Sequence, residues 1–572
     1  MRNKLYKSIL ISFILLVVLY QVFGSYYEEY QGFWNAFFSE KLSPGTPFDN
    51  FYFLGYIGIS YLYSWLYVIV PQVQWMSYVH YFQLITSFAI LLFIVESFLQ
   101  KSLKNTYSLT LISVLLFLSI APDNILLYVF ARASYIMCGA SLLAIIVLFN
   151  DCESIKKRFD LYMFLNLFYI WGALTRSESA LAILMLLFCF AVVWHTSLKK
   201  AIFTTFTATT FTLLLVVGII LDINTSDEFH KRVEPGIETQ FTIRNNVVPI
   251  EEMETYNDSI KYEAAMRMFW GDPDVITIEY LESLIKDPSM KVFSQEQWNR
   301  TLNELKDSYN TFEYYFLFIM VLTFISTLVL LKQGKTNQAA LLLIYFIGFL
   351  ILLTANSYFV KMRDRTVSPY LIIYFSSVFI FLVKNINKNR ISFFFLFSIL
   401  FIGSSIQLYE TYYKSKELKK AYKVNKQILT QLEECCSDAT VMPNPTAIGN
   451  LTLAFKPFEI FDFSKFDRFY FYEASIQSII PPFYNYLKKE CNCEVRNFSN
   501  FYRFVLKKDY PNKVYAVSNE DRMEVGMLYL KTHHDLNIIY KKVEHVDLNE
   551  NLAMDYYSRR KLYLYEMTLE DD

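Results

Sequence analysis

The chain has 572 residues, 54% of them hydrophobic, and its 53 basic and 54 acidic side chains leave a formal net charge of −1. This balance lacks the basic excess of nucleic-acid-binding proteins, and an aromatic content of 18% excludes a disordered chain. Length and apolar content together predict a polytopic membrane protein.

Long apolar runs recur as far as residue 409, and a transmembrane helix needs about 20 largely apolar residues. We predict a mostly α-helical fold with about eleven spans. They lie at 8–24, 76–98, 107–122, 133–150, 160–175, 178–195, 201–221, 313–332, 338–356, 366–384 and 391–409. Basic residues precede the first run, so a signal peptide is the alternative there, but no small-residue cleavage pattern follows it.

The stretch 51–71 is long enough to cross a membrane but is rich in Tyr. Charge decides its placement, because Lys and Arg accumulate in cytoplasmic loops. If 51–71 lies along the outer interface, every loop assigned to the cytoplasm is basic. We therefore predict an interfacial or re-entrant segment there, a cytoplasmic amino terminus and an extracytoplasmic carboxyl terminus. Size and composition favour a bacterial cytoplasmic membrane.

This topology divides the chain into a transmembrane domain, 1–409, and an extracytoplasmic soluble α/β domain, 410–572. Within the first, 25–75 forms an outer loop with the interface helix, and 223–312 forms a large outer loop. Amphipathic runs at 251–270 and 275–286 predict two helices in that large loop.

The carboxyl-terminal domain opens with a predicted charged helix, 411–434, and contains a second predicted helix, 473–490. Runs rich in aromatic and β-branched residues predict its strands. These runs are 458–463, 501–507, 513–518, 525–531, 537–546 and 561–567.

Four cysteines fall in this domain as two close pairs, Cys435 with Cys436 and Cys491 with Cys493. In an oxidising compartment they predict one or two disulfides. A metal site is the alternative, but the spacing differs from that of a zinc knuckle.

Acidic residues collect on the outer side. Glu28 and Glu29 follow the first span among Tyr residues, and desolvation together with mutual repulsion can raise the pKa of one of them, which suits a general base. Asp49 in the same loop and Asp123 in the turn after the third span are further candidates. The alternatives are ordinary surface acids and, for Asp123, a turn residue.

Basic residues at outer boundaries depart from the inside preference of Lys and Arg. Arg132 precedes the fourth predicted span, Arg176 and Glu178 separate the fifth and sixth, and Lys361, Arg363 and Arg365 lie between the ninth and tenth. Binding of a lipid-linked phosphate would explain them. Pairing with nearby carboxylates is the structural alternative.

These features together resemble the GT-C superfamily of integral membrane glycosyltransferases, which includes protein O-mannosyltransferases and aminoarabinose transferases. The resemblance covers the layout of the whole chain. Its local matches are Tyr27-Glu28-Glu29-Tyr30, Asp123, Leu174-Thr175-Arg176-Ser177-Glu178, and Arg365 with Pro369. The first loop has Glu-Glu where the family commonly has Asp-Glu or a lone Asp.

The resemblance implies an enzyme that moves a sugar from a polyprenyl-phosphate donor to a glycan, lipid or protein acceptor. Glu28 or Glu29 would act as the base, with Asp123 as the acid of the second loop, and Arg176, Lys361, Arg363 and Arg365 would hold the donor phosphate. A single displacement predicts inversion at the anomeric carbon. Some relatives use Mg²⁺ or Mn²⁺, but no ligand set stands out here.

Three other functions fit the sequence. A lipid-linked oligosaccharide polymerase or ligase shares the many spans and outer Arg residues. A transporter or flippase would show polar or broken helices at mid-membrane, whereas these spans are mostly smoothly apolar. A non-catalytic scaffold would bind a partner through its terminal domain and would not need Glu28 or Glu29.

Overall fold

A computed structural model shows the fold. It describes residues 2–27, 73–100, 106–207, 250–266, 274–284, 295–359, 364–385, 390–444, 498–506, 513–544 and 561–570. It also describes 62–63, 65–66, 69–70, 209–210, 212, 214, 272, 454, 456–459, 468–469, 546 and 548.

The described part of the chain is mostly helical, with helices numbered here in chain order. In the first half they are α1 (Arg2–Phe23), α2 (Trp75–Leu99), α3 (Thr106–Ile120), α4 (Pro122–Leu126), α5 (Phe130–Leu148), α6 (Cys152–Lys157), α7 (Phe159–Thr175) and α8 (Ser177–His195). They continue with α9 (Tyr256–Met266), α10 (Ile278–Ser283), α11 (Gln295–Thr311), α12 (Glu313–Lys332), α13 (Thr336–Phe359), α14 (Asp364–Asn385), α15 (Arg390–Cys435), α16 (Phe498–Val505) and α17 (Glu520–His534).

Seven helices within the described residues are long and apolar enough to cross a membrane. They are Asn3–Phe23, Trp75–Leu99, Phe130–Leu148, Glu313–Lys332, Thr336–Tyr358, Thr366–Asn385 and Phe394–Cys435. Tyr107–Ile120 and Ser179–His195 are shorter apolar helices. The chain is therefore an integral membrane protein. The total of eleven spans stays a prediction, because residues 215–221 and most of 51–71 lie outside the described part.

Helix α5 is the centre of the bundle, and all of its residues from Phe130 to Leu148 are buried. It packs against α2, α7, α8 and α14. Two glycines allow these close contacts. A Cβ at Gly172 would lie 2.6 Å from Cys138 Sγ, and one at Gly139 would lie 2.4 Å from Ile373 side-chain atoms. Ser134 Oγ of α5 also donates to the Gly172 carbonyl at 2.7 Å.

Helix α1 ends at a glycine that turns the chain toward the bundle. Gly24 has φ +81°, and its N–H donates to the Tyr20 carbonyl at 2.8 Å. A left-handed glycine is a common helix terminator. The chain then forms strand β1 (Tyr26–Tyr27), which pairs in parallel with β2 (Leu127–Tyr128). The start of the first outer loop is thereby fixed beside the segment that follows α4.

The last long helix, α15, has 46 residues. At 1.5 Å per residue it is about 69 Å long, roughly twice the hydrocarbon thickness of a bilayer. The predicted span 391–409 and the predicted helix 411–434 are therefore one continuous element that carries the chain from the membrane into the carboxyl-terminal domain.

That domain contains a five-stranded sheet, as an α/β domain requires. Its strands are β3 (Thr440–Pro443), β4 (Arg468–Phe469), β5 (Val514–Ser518), β6 (Ile538–Lys542) and β7 (Tyr563–Leu569), in the order β4-β3-β5-β7-β6. Strand β3 runs parallel to β4 and β5, whereas β7 is antiparallel to β5 and β6.

Three predicted strands are confirmed, 513–518, 537–546 and 561–567, although the second is shorter than expected. The predicted strands 501–507 and 525–531 are wrong, because residues 501–505 and 525–531 are helical. In α17 the buried residues Met523, Met527 and Leu530 recur at helical spacing. The predicted helix 473–490 and most of the predicted strand 458–463 lie outside the described residues.

The large outer loop packs against this domain. The predicted helices of the loop are confirmed in shorter form as α9 and α10, and α9 lies against α17. Asp272 of the same loop is fully buried, accepts a hydrogen bond from Tyr529 Oη of α17 at 2.7 Å and contacts His534. A buried carboxylate needs such partners, so this cluster joins the loop to the domain.

The predicted orientation can be tested with two native cysteines. Cys152 and Cys435 are both exposed free thiols, in a predicted cytoplasmic loop and at the start of the outer domain. In intact cells a membrane-impermeant maleimide should label a single-cysteine variant that retains Cys435 but not one that retains Cys152. Both should react after permeabilisation. Labelling of Cys152 alone in intact cells would reverse the predicted topology.

The close contact at Gly172 predicts an overpacking defect. A Gly172→Val variant should lose stability by about 1–3 kcal/mol, because the added atoms meet Cys138 and the α5 backbone. Gly348→Val is the matched control, since a Cβ there has one neighbour, Cys189 Sγ, at an ordinary 3.8 Å. Thermal unfolding in detergent compares the two, and equal melting temperatures would contradict the inferred packing.

Candidate functional site

The described site is centred on Asp123, in the first turn of α4. The carboxylate is buried and has three partners. Its Oδ1 accepts from Lys414 Nζ at 2.9 Å, and its Oδ2 accepts from Ser368 Oγ at 3.1 Å and from Arg132 Nη1. Residues from α4, α5, α14 and α15 thus converge on one acidic side chain.

Arg132 explains why this convergence is needed. It lies in the first turn of α5 and is one of the largest fully buried side chains in the described residues, with 0% exposure. An unpaired buried guanidinium would be very costly, and the Asp123 carboxylate offsets that cost. Of the two explanations for a basic residue at this boundary, the pairing with a carboxylate is the one that the contacts display.

The pairing changes what Asp123 can do. Burial alone would raise the pKa of its carboxyl, but the charges of Lys414 and Arg132 together outweigh burial and hold that pKa well below its usual range. A carboxylate held in this way is a weak proton acceptor. Asp123 is therefore suited to orienting the two cations, and a general base is better sought elsewhere.

A second acidic residue lies beside this cluster. Glu410 lies four residues before Lys414 on α15, close enough to interact electrostatically with Lys414 and Asp123. Lys414 also lies over the Phe312 ring, 4.6 Å from its centroid. Two basic and two acidic side chains thus lie close together, two of them partly exposed, and a shift of α15 would move Lys414 and Glu410 relative to Asp123 and Arg132.

The start of the first outer loop adjoins this cluster. The Tyr27 and Tyr128 rings lie 5.0 Å apart, and the His80 ring lies 4.3 Å from that of Tyr128. Within the described residues neither nitrogen of the buried His80 has a hydrogen-bond partner. Tyr81 Oη donates to Ser25 Oγ. Aromatic and polar groups therefore hold the chain just before Glu28.

Arg176 lies at the same end of the bundle. It directly precedes α8, and its guanidinium carbon is 5.9 Å from the Phe130 ring centroid, two residues before Arg132. Arg176 is half-buried. The structure therefore brings three of the predicted site residues, Asp123, Arg132 and Arg176, to one region.

The remaining predicted site residues are only partly described. Glu28, Glu29, Asp49, Lys361 and Arg363 lie outside the described residues, as do Cys491 and Cys493. Glu178 and Arg365 lie in α8 and α14, but their side chains are not described. Ser368, three residues after Arg365, contacts Asp123. Cys435 and Cys436 carry free thiols, the first exposed and the second buried, and the disulfides stay a prediction.

The carboxyl-terminal domain also reaches this region, through residues 456–459. The Phe458 ring packs among Tyr20, Tyr78 and Tyr81, with centroid distances of 5.7, 5.0 and 5.0 Å. The carboxylate of Glu459 accepts from Tyr422 Oη at 2.7 Å. The domain also contacts the first outer loop directly, because the Tyr26 and Tyr422 rings lie 6.1 Å apart and Gln74 Nε2 donates to the Glu459 carbonyl at 3.3 Å.

No cation site is evident in the part of the chain that the structure describes. No group of three or more His, Cys, Asp or Glu residues there could hold a metal ion. The acidic residues of the first outer loop lie outside that part.

Sequence reasoning missed three members of the site, Lys414, Ser368 and His80. Lys414 stands in a stretch rich in charge, where it looks like a solvated residue. A signal was present, since Gln407, Thr411, Lys414 and Leu418 recur at helical spacing on a face otherwise apolar or uncharged.

No protein-family model matches the chain, and neither the curated proteins nor the solved structures contain a significant match. Function is therefore inferred from the residues and contacts of the chain itself.

The central ion pair predicts a large effect for a small change. Asp123→Asn should destabilise the protein by roughly 3–5 kcal/mol, because it leaves Arg132 and Lys414 without their carboxylate. Glu153→Gln is the matched control, since Glu153 forms an exposed ion pair with Lys157, and such pairs contribute at most about 1 kcal/mol. Thermal unfolding in detergent measures both, and an Asp123→Asn protein as stable as the control would contradict the role given to the pair.

Proposed function

We propose that this protein is a membrane glycosyltransferase that transfers a sugar from a polyprenyl-phosphate donor to an acceptor on the extracytoplasmic side. The observation that carries the proposal is the pairing of β1 with β2. This pairing fixes the chain just before Glu28 next to the segment that follows Asp123. The described residues that flank the two acidic motifs of the predicted outer loops therefore lie side by side.

The charges of the site support binding of a lipid phosphate. Arg176 is half-buried beside Phe130, and Arg365 is the second residue of α14, in the same turn region as Ser368, which contacts Asp123. Arg132 and Lys414 are paired with Asp123. They would therefore contribute to the electrostatic potential of the site, while other residues would contact the phosphate directly. We assign those contacts to Arg176, Lys361, Arg363 and Arg365.

The proposed reaction is a single displacement. Glu28 or Glu29 accepts the proton of the acceptor hydroxyl as its oxygen attacks the anomeric carbon. The bond from that carbon to the phosphate oxygen breaks, and the basic residues stabilise the negative charge of the departing lipid phosphate. The configuration at the anomeric carbon inverts. Asp123 takes no proton in this scheme, in accord with its lowered pKa.

The membrane position of the site suits such a donor. The charges cluster at the ends of apolar helices, where a polyprenyl chain can stay in the bilayer while its phosphate meets basic groups. Internal inverted symmetry, the mark of many transporters, has no sequence counterpart here.

The decisive variant is Glu28→Gln combined with Glu29→Gln, expressed in a strain from which the wild-type gene for this protein has been deleted. Loss of one defined sugar from the cell-surface glycans, measured by mass spectrometry at equal membrane protein levels, is the expected result. The base would be absent while the fold and the basic residues remained.

The matched control is Glu251→Gln with Glu252→Gln, another adjacent acidic pair, which lies exposed in the large outer loop. It should restore the wild-type glycan profile. A profile that does not change on deletion of the protein would reject the transferase and favour a transporter or scaffold. NMR of the product linkage tests inversion.

A further inference from the structure

Helix α15 has an exposed face that the proposed reaction does not use. Beyond the predicted end of the membrane span, every third or fourth residue on this face is Tyr or Lys. The face consists of Tyr409, Tyr412, Tyr413, Lys416, Lys420 and Lys423, all exposed. We call it the Tyr–Lys face.

Helical geometry separates this face cleanly from the packed side of α15. Tyr409, Tyr413, Lys416, Lys420 and Lys423 follow one another at spacings of three or four residues, which places them on one side. The buried residues of the same stretch share the other side. They are Thr411, Ser415, Leu418, Asn425, Ile428 and Leu429.

The packed side and its edge contact the membrane bundle. Ser415 Oγ donates to the Phe23 carbonyl at 2.6 Å, and Lys419 Nζ donates to the Val22 carbonyl at 2.9 Å. These contacts satisfy carbonyls at the end of α1, which helices leave without intrahelical partners. They fix the rotation of α15 and therefore the direction of its exposed face.

The tyrosines mark the depth of the membrane surface. Tyr409, Tyr412 and Tyr413 are 56%, 57% and 52% exposed, and their rings cluster, with Tyr409 and Tyr413 centroids 4.7 Å apart. Tyr side chains concentrate at the boundary between hydrocarbon and headgroups. Lys416 lies three residues after Tyr413 and Lys423 lies ten residues after it, which is about 4.5 and 15 Å further along the helix axis.

Those heights place the lysines at the headgroups and just beyond them. The headgroup layer is roughly 5–8 Å thick on each side, and a charge acts over a Debye length of about 8 Å at physiological salt. Within the described residues neither Lys416 nor Lys423 has an ion-pair or hydrogen-bond partner. Of the acidic residues in this stretch, Glu410 lies beside the cluster around Asp123 and Glu417 lies at the edge of the face.

We propose that the Tyr–Lys face binds the anionic headgroups of phospholipids in the leaflet next to it. The tyrosines would lie at the acyl boundary and the lysines would pair with the lipid phosphates. Charge complementarity selects this occupant, because three lysines beside a bilayer surface attract anionic lipids over zwitterionic ones. The inference does not depend on the proposed transferase reaction.

Lipid titration of the purified full-length chain in detergent tests this inference. Dioleoylphosphatidylglycerol should bind about ten-fold or more tightly than dioleoylphosphatidylcholine, measured by native mass spectrometry, since each lysine near the surface adds to the attraction. A variant with Lys416→Gln and Lys423→Gln should lose most of this preference. Both residues are exposed, so the variant should fold normally.

The control variant carries Lys541→Gln and Lys561→Gln, the same charge change at exposed positions of the sheet domain. It should keep the preference. Equal affinity of the wild-type chain for both lipids, or a preference that survives in the Lys416 and Lys423 variant, would overturn the proposal. Displacement of the anionic lipid by millimolar inorganic phosphate, or by polyglutamate, would assign the face to a soluble anion and overturn it as well.

Discussion

The ion pair between Asp123 and Arg132 is the constraint on which one end of the helical bundle depends. Arg132 opens the most deeply buried helix, so its charge must be balanced where the helix begins. Lys414 and Ser368 join the same carboxylate from α15 and α14. One acidic side chain thereby joins α5 to two helices that come much later in the chain, α14 and α15, and the first outer loop is held next to them by β1 and β2.

This arrangement separates two tasks that the sequence could not separate. In the sequence alone, nothing distinguishes the role of Asp123 from that of the acidic residues of the first loop. The contacts show Asp123 saturated by cations, which removes it as a proton acceptor and leaves the Glu28-Glu29 pair as the better candidate for a base. Within the proposed transferase, the ion-pair cluster around Asp123 would hold the helices in place, and the first outer loop would supply the base from different residues.

Membrane character, most helices and three strands of the carboxyl-terminal sheet could be predicted, because each depends on a local pattern. These patterns are a long apolar run, a basic loop, or a short run rich in aromatic and β-branched residues. The stretches 501–507 and 525–531 were misassigned because their aromatic residues favour strands locally, whereas helical packing of Phe501, Val505, Met523 and Met527 decides their structure. Lys414 escaped notice for a related reason. Its burial depends on α4 and α5, which lie almost 300 residues earlier, and no local pattern reports such a contact.

The continuity of α15 has a mechanical consequence. No Gly or Pro interrupts residues 404–435, and sharp helix kinks nearly always need such a residue or an inserted group. Lys414 lies within this rod, between the membrane and the sheet domain. Turning α15 about its axis would break the contact of Lys414 with Asp123 and the contacts of Ser415 and Lys419 with the end of α1 together. One uninterrupted helix therefore joins the charges at this end of the bundle to the start of the sheet domain, so that neither can be repositioned independently of the other.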